Sequence, residues 1–182
     1  MADVNQLITD FYRVAATREF ARDFNFRVLS INTGGASNVT FDQDDLVFVK
    51  TATLPARSIK NVEVPYMGLN FNIPGVSQYP GSDAYDLTFY ADANSQIRQK
   101  FEQWSFDIFN DANSTGNYFA PKQTAIMDLV QLDNQLNKVA QYQLVGVSVR
   151  NVGPITYNIA SGTGETIEFT ATVSYHYWRN IG

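Results

Sequence analysis

The side chains of this 182-residue chain that could do chemistry are few and badly spaced for it. There is one histidine, His176, and no cysteine. Nucleophilic catalysis needs a base held beside the nucleophile, and a zinc centre needs three or four converging ligands, so His176 supports neither. Asp42, Asp44 and Asp45 have the alternating spacing of a calcium loop. The glycine and distal glutamate of an EF-hand are missing, and the cluster reads as a solvated acidic turn. Asp83 and Asp86 are the residue types that flank a glycosidic bond, yet nothing in the sequence aims one at the other. No GxxxxGKS/T loop occurs, and no GxGxxG follows a strand. Tyr85, Tyr90, Trp104 and Phe106 alternate with acids as often as with bases, which makes a poor stacking platform for single-stranded nucleic acid. The chain is therefore read as a non-enzyme with no cofactor and no metal.

Composition narrows the class further. Hydrophobic residues make up 45% and aromatic residues 14% of the sequence, enough to bury a core in a single domain spanning 1–182. The formal net charge of −5 argues against a grip on nucleic acid, which needs concentrated Lys and Arg. An acidic surface first of all serves ordinary solubility, and it is also what a surface beside DNA that passes without being held would need. MADVNQLITDFY lacks the basic region and apolar run of a secretory signal, and no stretch reaches bilayer-spanning length. The sequence predicts assembly in a cytosol-like solvent with no membrane span.

The elements that must position these side chains centre on Asp83–Trp104. Tyr85, Leu87, Phe89 and Ala91 alternate with Asp86, Thr88, Tyr90 and Asp92, the period of a half-buried strand. From Asn94 the apolar residues fall at Ile97, Phe101, Trp104 and Ile108, which is helical spacing over 94–108. Asp92 or Asn94 can cap that helix, and Arg98 with Glu102 is a favourable i, i+4 pair. Leu87, Phe89, Ile97, Phe101 and Trp104 are predicted core, joined by Phe169 and Val173 of a later strand.

Elsewhere, Asp3–Val14 reads as a short amphipathic helix with Val4, Leu7, Ile8 and Phe11 on one face and a capping box at Asp3 and Gln6. Phe24–Ile31 reads as a strand, NTGGASN (32–38) as a turn and Leu46–Thr51 as another strand. Ile59–Val64 and Leu69–Ile73 form a projecting hairpin (58–74) with proline at both ends, which suits an exposed edge because proline cannot donate to a ladder. Residues 74–83 are read as a loop and 110–123 as a polar connection. Strands are predicted over Thr124–Leu132 and Lys138–Val149, the latter with Gln143, Val145, Val147 and Val149 on one face. Residues 154–160 offer a short extension, and SGTG (161–164) a turn. The final strand is read as continuous from Thr166 to Tyr177. Ile167, Phe169, Ala171, Val173, Tyr175 and Tyr177 lie on one face, and Thr166, Glu168, Thr170, Thr172, Ser174 and His176 on the other. Such a polar but barely charged face suits either solvent or the wall of a water-filled passage closed by several subunits.

Taken together the chain resembles the tail tube proteins of contractile-tailed bacteriophages. The resemblance is carried in order by REFARDFNFRV (18–28), ATLPA (52–56), IKNVEVPYMGLNFNIPG (59–75) and YDLTFYADANSQIRQKFEQW (85–104). It continues through KQTAIMDLVQLD (122–133), LVGVSVRNVGPI (144–155) and IEFTATVSYHYW (167–178). The resemblance implies a mainly β fold, a barrel or sandwich of antiparallel sheets with one central flanking α-helix and a short N-terminal helix. It also implies hexameric rings stacked into a tube that conducts DNA inside a contractile sheath, with sheath, baseplate and tape-measure proteins as partners and the virion tail as location. A baseplate tube initiator, or a secretion-system or bacteriocin tube subunit, would share this pattern. On this reading Glu168, Thr170, Thr172 and Ser174 face the channel, and Ile59, Asn61, Glu63, Tyr66, Leu69 and Phe71 contact the adjacent ring. The segment NTGGASNVTFDQDD is longer and more polar than the family pattern.

Overall fold

A computed structural model describes residues 8–116, 121–160 and 162–182. In chain order the elements begin with helix α1 (Ile8–Ala15), strand β1 (Phe26–Thr33), a helical turn α2 (Gln43–Leu46) and strand β2 (Val49–Thr51). Strands β3 (Ser58–Tyr66), β4 (Leu69–Gln78) and β5 (Tyr85–Tyr90) precede helix α3 (Gln96–Ile108). A two-residue pair β6 (Phe109–Asn110) and β7 (Thr115–Gly116) leads to β8 (Ala125–Leu132), β9 (Lys138–Val145) and β10 (Ser148–Val152). The described chain closes with β11 (Glu168–Ser174) and β12 (Tyr177–Asn180).

Two four-stranded antiparallel sheets face each other, one ordered β1-β8-β9-β12 and the other β10-β11-β5-β2. Both contribute to one core: Val28, Met127, Leu129 and Leu144 come from the first sheet and Leu87, Phe89, Phe169 and Val173 from the second. The change of period after Tyr90 lays α3 against this core. Ile97, Phe101 and Trp104 are buried, and the Phe101 ring lies 5.3 Å from Phe89 and 4.7 Å from Phe41. Asp92 starts the helix: one carboxylate oxygen accepts the Gln96 amide at 2.9 Å and the other that of Ile97 at 3.4 Å. Arg98 and Glu102 pair at 2.8 Å.

Two of the chain's passages between the sheets are direct bends from one strand into the next, at adjacent places. The predicted strand Lys138–Val149 is two strands, because Gly146 adopts φ +74° and turns the backbone from β9 in one sheet to β10 in the other. Val145 therefore stands apart from the main core that holds Val147 and Val149. The predicted strand Thr166–Tyr177 is likewise two. It leaves the second sheet after Ser174, the Tyr175 amide donates to Ser82, and the His176 amide donates to Val145 as β12 joins β9. His176 is thus in the corner between strands, against Gly146, and not on the polar face.

Other boundaries shift for local reasons. The Asp42–Asp45 acids form a capped helical turn and not an open acidic loop. The Asp45 carboxylate accepts the Asp42 amide at 2.8 Å and the Lys100 ammonium at 2.6 Å. Burial of Lys100 works against its charge, but the bond to Asp45 prevails and holds its pKa above the ordinary value. Together with Phe41 packed on Phe101 and Trp104, this fastens the 34–46 segment onto α3. Strand β1 begins at Phe26, leaving Phe24 outside it and exposed. Residues 74–78 extend β4 and are not loop, and 154–160 form no strand. Of the predicted N-terminal helix, the described residues hold Ile8–Ala15 as helix. Ile8 and Phe11 are exposed, and the capping box at Asp3 and Gln6, with Val4 and Leu7, lies outside the described residues. So do 117–120 of the polar connection and Ser161 of the SGTG turn.

Two outcomes follow from this packing. A Cβ on Gly146 would stand 2.4 Å from the His176 ring, at a backbone angle that side chains resist. Gly146→Ala should cost at least about 2 kcal/mol by urea unfolding. Burial pushes the Tyr85 phenol up to about 12, and its hydroxyl donates to the Thr53 carbonyl. The unfolded phenol titrates near ~10, so the stability this group contributes is complete below that value and declines as pH rises towards the folded one. Tyr85→Phe should show a flatter loss of stability over that alkaline window than the parent chain.

Candidate functional site

The described residues bring together no catalytic constellation. Among the described residues no three His, Cys, Asp or Glu side chains converge on a metal-sized site. What the fold presents instead is two surfaces of unusual regularity.

The first is the outward face of the sheet β10-β11-β5-β2. Alternation along β11 sends Phe169, Ala171 and Val173 into the core and leaves Glu168, Thr170, Thr172 and Ser174 half-buried on the other side. Each is continued sideways by its register partner: Glu168 by Tyr90, Thr170 by Thr88, Thr172 by Asp86 and Ser174 by Ser148. The charges on this face are matched locally. Lys50 meets Glu168 at 2.5 Å and lies 5.6 Å from the centre of the Tyr90 ring, and the Thr172 hydroxyl donates to Asp86 at 2.6 Å. The hydrogen bond to Glu168 holds the Lys50 ammonium above its ordinary pKa. At the rim Arg150 pairs with Asp83 at 3.3 Å. Asp83 and Asp86 are therefore engaged with different partners and do not act as a carboxylate pair. The face offers hydroxyl groups and few unmatched charges, which wets it without giving it strong affinity for a polyanion.

The second surface is the hairpin of β3 and β4, in which every residue from Ile59 to Gln78 is exposed. Met67 and Gly68 both take positive φ, giving the two-residue turn whose twist matches the strands. The register puts Tyr66 opposite Leu69, Val64 opposite Phe71 and Val62 opposite Ile73, so one side of the ribbon is wholly apolar over this length. The other side carries Pro65 with Asn70, Glu63 with Asn72 and Asn61 with Pro74. The six residues expected from sequence to meet a neighbouring ring thus divide. Tyr66, Leu69 and Phe71 are on the apolar side, while Ile59, Asn61 and Glu63 are on the polar side. Val62, Val64 and Ile73 belong with the former and were missed because the alternation of β4 was not set against that of β3.

Sequence reasoning also missed a polar row across the outer face of the other sheet. Ser30 donates to Asp128 at 2.8 Å, Gln143 donates to Asp128 at 3.0 Å, and Arg179 donates to Gln143 at 2.9 Å. These residues lie on four different strands, and only the register brings them together.

The fold is thus a two-sheet β body bearing a large uncovered apolar ribbon. The family model for phage tail tube proteins matches residues 15–180, and the chain belongs to that family. It is a structural protein and not an enzyme. No curated protein sequence matches it. Among solved structures, the fold is similar to a chain of the anti-feeding prophage baseplate, at 13% identity and a TM-score of 0.57, covering 91% of this chain and 97% of the other. It is also similar to a chain of the anti-feeding prophage tube-terminating cap, at 10% identity and a TM-score of 0.58, covering 90% and 92%. A third likeness is to a chain of the sheath–tube complex of an extracellular contractile injection system, PVC, in its extended state, at 11% identity and a TM-score of 0.55, covering 98% and 99%.

Because Phe71 is about half exposed and lies outside the buried core cluster, Phe71→Ser should change the unfolding free energy by no more than about 0.5 kcal/mol. The same variant should reduce binding of a dye specific for hydrophobic surfaces, measured by fluorescence.

Proposed function

We propose that this chain is the protomer of a phage tail tube, assembling as hexameric rings that stack into a conduit for DNA inside a contractile sheath. The observation that carries the reading is the strand order β10-β11-β5-β2, in which directions alternate throughout. Its outermost strands, β10 and β2, therefore run in opposite senses. A β10 strand from a second copy can add antiparallel to β2 without inverting the subunit, and the step can be repeated until the ring closes. Closure removes the open edges that a lone sheet would have to protect. It also turns the hydroxyl-rich face carrying Glu168, Thr170, Thr172 and Ser174 into the wall of the passage. A wall of matched charges and hydroxyls neither traps nor strongly repels a moving phosphate backbone.

The apolar side of the β3–β4 ribbon is the contact between successive rings. The protomer is assembled in the host cytoplasm, with sheath, baseplate and tape-measure proteins as its partners, and resides in the virion tail. The fold is similar to chains from a baseplate and from a sheath–tube complex alike, so a tube initiator, or a subunit of a secretion or bacteriocin tube, is the alternative. Copy number per particle separates an initiator, present in one or a few rings, from a tube protomer.

Deletion of residues 58–78, whose ends Ser58 and Gln78 are paired neighbours, should leave a folded soluble subunit that forms no long rods by negative-stain microscopy. Rods of normal length from that deletion would defeat the stacking role of the ribbon. In a map of the intact tube, Thr170 and Thr172 should point into the channel; Phe169 and Val173 there instead would reverse the assignment of the wall.

A further inference from the structure

The chain carries a second uncovered apolar surface, and its position says what it is for. No residue of α1 is buried. Phe11, 56% exposed, stacks at 5.8 Å on Phe20, itself 63% exposed, and Tyr12 lies edge-on to Phe11. Ile8 and Phe24 are exposed in the same segment. The chain after this helix is tied to the body at the turn between β8 and β9. There the Asn134 amide donates to the Glu19 carboxylate at 2.6 Å and to the Phe20 carbonyl at 3.3 Å, and the Asn25 amide donates to the Asn134 side-chain oxygen at 2.7 Å.

The ribbon is rooted at the other end of β9. The Trp178 indole donates to the Ala56 carbonyl just before β3, and the Trp178 ring packs edge-on against Tyr79 just after β4. Trp178 is the register partner of Leu144, near the far end of the strand. The two anchor points are separated by most of β9, on the order of 20 Å at about 3.3 Å per residue.

Two apolar surfaces of complementary kind, a flat ribbon and a helix with its flanking aromatics, thus stand at opposite ends of one strand of the body. A sheet face and an amphipathic helix are the two elements that cover one another in folded domains. A ribbon that met its own kind would make a closed two-fold dimer, whereas a ribbon that meets the helix makes a head-to-tail contact that leaves each end free to repeat. From this we infer that the apolar side of the ribbon (Val62, Val64, Phe71, Ile73) docks on the α1–Phe20–Phe24 surface of another copy of this chain, which makes the N-terminal segment its receptor. The inference rests on the stacked-ring reading and gives the ring-to-ring contact its second half.

The absence of cysteine makes the test direct. Val64→Cys and Phe20→Cys, both at exposed positions, are prepared as separate single variants, mixed, assembled and treated with a short thiol-specific bifunctional linker. The expected result is a cross-linked dimer in the mixture, at least tenfold more abundant than in either variant alone, and only after rods have formed. The pair Ile73→Cys with Tyr12→Cys should behave alike, guarding against a local disturbance at either site. Rods without the mixed cross-link would overturn the receptor assignment and leave the tube reading standing. Cross-linking of Val64→Cys with itself at equal yield would replace the contact with a ribbon-to-ribbon one. Absence of rods from both the mixture and the parent chain would remove the tube reading and this inference with it.

Discussion

The structure depends on the aromatic cluster around Phe101. That ring lies 5.3 Å from Phe89, 6.5 Å from Phe169, 6.3 Å from Trp104 and 4.7 Å from Phe41, and Phe89 stacks on Phe169 at 5.4 Å. Four segments meet there: β5, β11, α3 and the 34–46 segment. Each of these rings buries a large apolar area, and edge-to-face or offset geometry adds to the gain from burial alone. Because Phe89 and Phe169 are fixed from the inside, the alternation of β5 and β11 leaves Thr88, Thr170 and their neighbours no choice of side. The polar face of the sheet is thus a consequence of the core and needs no interactions of its own to be specified.

The two direct strand-to-strand crossings between sheets, β9 to β10 and β11 to β12, do the complementary work. Gly146 and the Tyr175–His176 step lie against one another, so both chain passages are made in one corner and the two sheets are locked along that corner. The Lys100–Asp45 pair fastens the 34–46 segment to α3, an attachment in which a partly buried ion pair is supported by the capping bond to the Asp42 amide. Two parts lie outside this core: α1 with the chain after it, bonded at Asn134, and the ribbon, bonded at Trp178.

Much of this was legible in the sequence, for reasons that can be located. The strand at Tyr85–Tyr90 and the helix over Gln96–Ile108 announce themselves because burial on one side imposes a strict period, and nothing in that stretch conflicts with it. The two broken strands were not legible in the same way. Gly146 within an otherwise β-branched run was a usable sign of a bend. Tyr175–His176 gave none, since alternation continues through the step and only the hydrogen bonds to Ser82 and Val145 reveal the change of sheet. The acidic run at Asp42–Asp45 misled because its partner, Lys100, is 55 residues away. For the ribbon, each strand's own alternation was plain. Its two-sidedness was hidden because it depends on how far β4 is shifted against β3, which the Met67–Gly68 turn sets.

The register shift within the ribbon has a further consequence. Lys60 pairs with Val76 and Asn61 with Pro74, so Gly75 is an extra residue that bulges β4, and Pro65 and Pro74 cannot donate along its length. A bulge coils the strands locally, and a missing amide leaves a gap in the row of donors that a stray strand would need. Long apolar hairpins are ordinarily seeds for self-propagating cross-β fibrils. Here the kinks that spoil indefinite edge-to-edge growth leave the pairs Val62–Ile73, Val64–Phe71 and Tyr66–Leu69 aligned, so the ribbon shows a continuous apolar side without offering a clean edge to a fibril.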